Sequence, residues 1–108
     1  MKVKVRYFTT LRELTRLAEE EIELEDNCLL RDFIEKIVQK YGDEAYRYLY
    51  SDRDKKIVDP SVRFLIKGKD SRMLKGLETK LEDGNIIAII PPIGGGNQQF
   101  SPFESQMS

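Results

Sequence analysis

The amino-acid sequence predicts an α+β fold, with a mixed sheet and one main helix across one face. Three observations point there. Residues 2–8 alternate charged and apolar side chains, the apolar residues from Leu30 to Tyr41 recur at intervals of three and four, and Ile86 to Ile90 is apolar throughout. These are the patterns of a half-buried strand, an amphipathic helix and a strand buried on both faces.

Taken in order, Val3, Val5 and Tyr7 fall on one face of the first strand and Lys2, Lys4 and Arg6 on the other. The polar stretch Thr9 to Arg16 suits a turn of helix. Glu19 to Leu24 ends in Ile-Glu-Leu and forms a second strand with Ile22 and Leu24 inward, so the two strands make an amino-terminal hairpin. Asp26 or Asn27 is placed to cap the main helix, in which Leu30, Phe33, Ile34, Ile37, Val38 and Tyr41 share a face, and Gly42 supplies the left-handed stop. Asp43 to Tyr50 is a shorter helix with Tyr46, Leu49 and Tyr50 on one face, and it is expected to be a peripheral insert. Strand character returns at Val62 to Ile66 and ends at Lys67-Gly68-Lys69-Asp70. A loop anchored by Leu74, Leu77 and Leu81 follows, and the turn Asp83-Gly84 leads into the last strand. The strand most apolar on both faces belongs in the middle of the sheet or meets a partner on its outer face. Placing it beside and parallel to the first strand, with the long helix crossing one face, gives the β-grasp (ubiquitin-like) plan.

At 108 residues there is room for one domain and one modest core. The 18 basic and 19 acidic residues leave a net charge of −1, a poor field for polyphosphate, so nucleic acid is not an expected partner. With one cysteine, Cys28, there is no intramolecular disulfide. With no histidine, the commonest general base and metal ligand is missing, and no metal site is expected. The amino terminus lacks the continuous apolar stretch of a signal peptide, and Ile86 to Ile90 is too short to span a bilayer. The expectation is a cytoplasmic protein without a membrane partner.

The sequence then divides into three parts: residues 1–93 as the β-grasp domain, 94–96 as a glycine tail, and 97–108 as a flexible or cleavable extension. Of the charged residues only Glu104 lies beyond Gly96, where Asn97, Gln98, Gln99, Pro102 and Gln106 gather. At the boundary the chain is Pro91-Pro92-Ile93-Gly94-Gly95-Gly96. Two prolines fix φ and remove two donors, which ends sheet pairing and makes a stiff stalk. Three glycines without Cβ can thread a narrow channel in another protein and present an unhindered carbonyl. A glycine carboxylate there is a good group to activate as an acyl-adenylate. The bland alternative is a flexible linker.

The opening strand with Leu11-Arg12-Glu13-Leu14 after it, the stretch Leu74-Lys75-Gly76-Leu77-Glu78-Thr79-Lys80-Leu81-Glu82-Asp83-Gly84-Asn85, and the ending Pro-Pro-Ile-Gly-Gly-Gly closely resemble the MoaD-type small subunit of molybdopterin synthase and its ThiS-like sulfur-carrier relatives. The resemblance covers residues 1–96. It implies that Gly96 is adenylated by an E1-like enzyme that uses ATP, is converted to a thiocarboxylate, and donates sulfur to the dithiolene of molybdopterin, the molybdenum or tungsten cofactor precursor. It implies that Pro91, Pro92, Gly94 and Gly95 form the tail inserted into a large MoaE-type subunit, which holds the catalytic pocket. The chain would then be a protein co-substrate, not catalytic alone, with no cofactor bound to it.

The sequence departs from that pattern in one respect. Twelve residues, Asn97 to Ser108, follow Gly96, which therefore carries a peptide bond and cannot be adenylated until a processing protease cuts there. An extension of artificial origin is the other account. Two further functions stay open: a ubiquitin-like modifier forming isopeptide bonds to lysine, and a non-carrier β-grasp interaction module whose uncut tail presents Phe100 and Phe103.

Other features receive weaker functional readings. Cys28 is expected to be a buried or helix-start thiol without a role, since no histidine activates it. Glu19 to Glu21 is expected to be a solvated strand edge. Lys67, Lys69, Arg72, Lys75 and Lys80 are either a solvated face or a basic patch near the tail exit. Ile87, Ile89 and Phe8 are either an apolar patch on the open sheet face or buried beneath the Tyr46–Tyr50 insert.

Overall fold

The computed structural model describes residues 1–91. Its main sheet has five strands: β1 (Lys2–Tyr7), β2 (Glu19–Glu23), and, later in the chain, β5 (Arg63–Ile66), β6 (Lys69–Asp70) and β7 (Ile86–Ile90). They lie in the order β2-β1-β7-β5-β6. The last strand is central and parallel to β1, as the sequence predicts, and it pairs with β5 in the antiparallel sense. The turn before β7 fixes that parallel register. Asp83 Oδ1 accepts the Lys2 N–H at 2.7 Å, and the Gly84 N–H donates to the Lys2 carbonyl at 2.8 Å. Gly84 has φ +84°, a conformation that side chains rarely adopt.

Helix α1 (Thr9–Thr15) follows β1, and the main helix α2 (Leu30–Tyr41) crosses the sheet. Leu30, Phe33, Ile34, Ile37 and Val38 of α2 are buried against Val3, Val5 and Tyr7 of β1, Ile22 of β2, Phe64 and Ile66 of β5, and Ile87 and Ile89 of β7. The cap differs from expectation. Neither Asp26 nor Asn27 caps α2; Asn27 instead takes a left-handed turn at φ 67°, and the N-cap is Leu29. The first-turn donors are satisfied by other groups. Asp32 accepts the Leu29 N–H at 3.0 Å, and the Thr79 carbonyl accepts that of Leu30 at 2.9 Å. Gly42 ends the helix at φ +83°, its N–H on the Val38 carbonyl at 2.8 Å.

The insert is not peripheral. Helix α3 (Asp43–Leu49) packs on α1 and α2 and places Ala45 and Leu49 in the core, with Tyr50 buried at the start of a small hairpin of β3 (Tyr50–Asp52) and β4 (Ile57–Val58). Glu35 on α2 ties that hairpin down, accepting from the hydroxyls of Tyr46 at 3.2 Å and Tyr50 at 3.3 Å and pairing with Lys56 at 3.4 Å. Burial and the Glu35 charge push the Tyr50 hydroxyl pKa well above its ordinary value.

Candidate functional site at the exit of the central strand

The carboxyl end of β7 is where the chain leaves the domain, and the sheet supports it on both sides. Ile89 lies beside Tyr7 of β1 and Phe64 of β5, and Ile90 lies beside Arg63. Pro91, the first residue of the expected tail, is buried and follows the last paired residue. Having no N–H, it ends the ladder there. The remaining tail residues, Pro92, Gly94, Gly95 and Gly96, lie outside the described residues, as does the whole extension 97–108.

The open face of the sheet, opposite α2, is built from alternate residues. Ile86, Ala88 and Ile90 of β7 with Leu65 of β5 form an apolar stripe; Ile86 is 42 % exposed, while the other three are half-buried. Lys4 and Arg6 flank it on β1, and Arg63 lies across from Ile90. Beyond β1, Glu19 pairs with Lys4 and Arg6, each at 3.5 Å. Ile87 and Ile89 do not belong to this patch: both are fully buried in the core, so the run of isoleucines has the opposite phase from the one expected of a patch. Phe8, half-buried, is the residue from which α1 starts.

The acidic run is likewise divided between faces. Glu19 and Glu21 are exposed as a solvated edge, but Glu20 turns inward and accepts from Tyr7 Oη at 2.6 Å, from the Tyr41 hydroxyl and from Lys40 Nζ at 2.7 Å. Burial opposes the Glu20 charge, but those three donors outweigh it and hold the carboxyl pKa below its usual value. Burial and the same carboxylate push the Tyr41 hydroxyl up to about 12.

The basic residues are not at the tail exit as a group. Lys67 follows Ile66, which lies beside Ile87, and its N–H faces the Ile86 carbonyl at 3.5 Å, so Lys67 sits at the entry of β7. With about 3.3 Å of rise per residue, the exit is about 13 Å away. Arg72 is engaged by Asp70 at 3.2 Å. Cys28 is buried with its thiol pKa pushed up by burial and by nearby Asp32, which opposes thiolate chemistry. Among the described residues no helix is long and apolar enough to cross a membrane.

A family model described as the ThiS family matches residues 5–96, from the first strand through the glycine run. The chain belongs to the ThiS family. These are ubiquitin-like sulfur carriers and modifiers, and the relatives agree. The chain is 29 % identical over 96 residues to small archaeal modifier protein 3 of Haloferax volcanii, covering 89 % of this chain and 100 % of that protein. The solution structure of small archaeal modifier protein 1 from Methanosarcina acetivorans superposes with a TM-score of 0.73 at 35 % identity, covering 88 % of this chain and 96 % of that one. A structure described as a putative molybdopterin converting factor, subunit 1, from Pyrococcus furiosus gives 0.65 at 30 % identity, covering 85 % of this chain and 98 % of that one.

Proposed function

We propose that this ThiS-family chain is a sulfur carrier that acts through Gly96 once the Gly96–Asn97 bond has been cut. The observation that supports the reading is the position of β7. The central strand, paired on both sides, runs straight into buried Pro91, beyond which the sequence continues Pro92-Ile93-Gly94-Gly95-Gly96, and the apolar stripe Ile86, Ala88, Ile90 and Leu65 lies on the open face leading to that exit. An E1-like partner would rest on the stripe and take the glycines into its own site. There the freed Gly96 carboxylate attacks the α-phosphorus of ATP and pyrophosphate leaves. Hydrosulfide then attacks the acyl carbon, AMP leaves, and loss of the sulfur proton gives a thiocarboxylate. The sulfur goes to the dithiolene of molybdopterin in the pocket of a large MoaE-type subunit, where water cleaves the acyl–sulfur bond and restores the Gly96 carboxylate, with Pro91, Pro92, Gly94 and Gly95 as the inserted tail. This chain binds no cofactor in that scheme; the activating partner uses the ATP.

A second reading is favoured by the names of two of the relatives, which are modifier proteins. In it a lysine amine takes the place of sulfur and Gly96 ends in an isopeptide bond. Both readings share activation at Gly96. The chain ending at Gly96, incubated with ATP and the E1-like enzyme of its own cells, gains an acyl-adenylate by intact mass, and the Gly96→Ala form does not. Undiminished acylation of the alanine form sinks both readings. Thiocarboxylate on the protein recovered from cells favours the carrier, and branched peptides joining Gly96 to lysine favour the modifier.

A further inference from the structure

The entry end of β7 carries a second feature that the chemistry at Gly96 does not use. Between the β5–β6 hairpin and the loop 71–80 lies a groove of about 550 Å³. Ile66 and Leu74 line it, and Leu74 is 40 % exposed; Met73, next to it in the chain, is 77 % exposed. Lys67, Lys69, Lys75 and Lys80 also line it. The walls are held in place by the backbone. Lys67 and Gly68 make the hairpin turn with φ of 55° and 78°, and Thr79 Oγ1 accepts from the Lys75 N–H at 3.1 Å while donating to the Gly76 carbonyl at 2.7 Å.

The charge around the groove is unbalanced. Glu82 is engaged by Lys67 at 3.1 Å, Glu78 pairs with Arg31, and Asp70 is held by Arg72. Among the described residues Lys69, Lys75 and Lys80 have no carboxylate within ion-pair distance, and all three are exposed. Three unpaired ammonium groups around the partly exposed Leu74 form a surface that complements an apolar anchor flanked by carboxylates.

We infer that this groove docks an acidic peptide segment of a partner protein, one bearing an apolar side chain that lies on Leu74 between the lysines. A polyanion such as nucleic acid suits it less well, because the chain's net charge is −1, Glu82 sits in the wall and the floor is apolar. A second copy of this chain also suits it less well. The acidic strand β2 spends Glu19 on Lys4 and Arg6 and Glu20 on Lys40, and its exposed Glu21 and Glu23 flank Ile22, which is buried and offers no apolar anchor. Because the groove and the tail exit occupy opposite ends of β7, one partner can hold the domain here while the tail is engaged elsewhere. The site stands whether or not Gly96 is activated.

The test is an amide-shift titration of the isotope-labelled full chain with a capped peptide of sequence Glu-Glu-Leu-Glu-Glu. The expected result is saturable shifts confined to residues 66–69, 74–75 and 79–80. The dissociation constant should rise about tenfold for the triple variant K69E/K75E/K80E, from the loss and reversal of three exposed charge contacts. It should also rise when serine replaces the peptide's leucine. The triple alanine variant gives the same reading if charge reversal disturbs the fold. Three results overturn the inference: shifts elsewhere or indifferent to the lysine variants, tighter binding of single-stranded oligothymidylate than of the peptide at the same amides, or the same shifts on concentrating the chain alone.

Discussion

Tyr7 Oη on β1 donates to Glu20 Oε2 on β2 at 2.6 Å, although Glu20 sits within a run of three glutamates that would otherwise line a solvated edge. The same carboxylate receives Tyr41 and Lys40 from the last turn of α2, so one side chain joins the sheet to the end of the main helix. Glu20→Ala leaves the buried Tyr7 hydroxyl without its acceptor. The expected loss of stability is about 2 kcal/mol, the usual cost of orphaning a buried polar group. Urea unfolding measures it, and a loss no larger than that of Glu21→Ala would show that the network contributes nothing.

The same network sets an acid response. The Glu20 pKa lies below its unfolded value of 4.5, so the folded state binds fewer protons there than the unfolded chain. Its contribution is fully present above that value and is lost as pH falls through the folded pKa. The stability gap between the wild-type protein and Glu20→Gln should therefore be constant near neutrality and close progressively below about pH 4.5. Urea midpoints measured at a series of pH values check this; a gap that widens on acidification contradicts it.

Leu49 tests the status of the insert. The segment 43–58 is rich in charge, and Leu49 is fully buried where α3 meets the rest of the core. If α3 is part of the domain's cooperative unit, Leu49→Ala costs about 3 kcal/mol, within the range for large-to-small core changes. Thermal unfolding should lose stability across the whole protein. A separate early transition of the insert would place it outside that unit.

Residues whose periods were clear were legible in the sequence. Val3, Val5 and Tyr7 alternate, α2 repeats its apolar face, and both give the right elements and the right inward faces. The central place of β7 followed from its apolar composition. The phase of β7 did not, because an unbroken isoleucine run has no period to read; pairing of Ile87 with Val5 and Ile66 decides it. Nor could the sequence locate the lysines. Lys67 is nearer in sequence to the tail than most of the chain, but the antiparallel register of β5 and β7 carries it to the opposite end. The start of α2 at Leu29 uses Thr79, far away in the chain, as acceptor for the Leu30 N–H beside the local Asp32, and the inward turn of Glu20 depends on Tyr41. Long-range partners of this kind leave no local signal.

The phase of β7 gives the sharpest test of the docking face. Ile86 and Ile87 are adjacent and chemically identical, but one is 42 % exposed on the open face and the other is fully buried. Ile87→Ala should cost about 3 kcal/mol of stability. Ile86→Asp removes apolar surface from the stripe without opening a cavity, so it should leave the unfolding midpoint nearly unchanged. If the activating enzyme rests on that stripe, the same Ile86 variant, in the form ending at Gly96, should raise KM for the carrier about tenfold, since one central apolar contact in an interface is worth about 1–2 kcal/mol. The kcat for adenylation should hold, because Ile86 is at the far end of β7 from the exit and contacts no reacting atom in the proposed scheme. A fall in kcat with unchanged KM would instead mean that the stripe positions the tail rather than docking the domain. Wild-type values of both constants would remove the open face from the interface altogether.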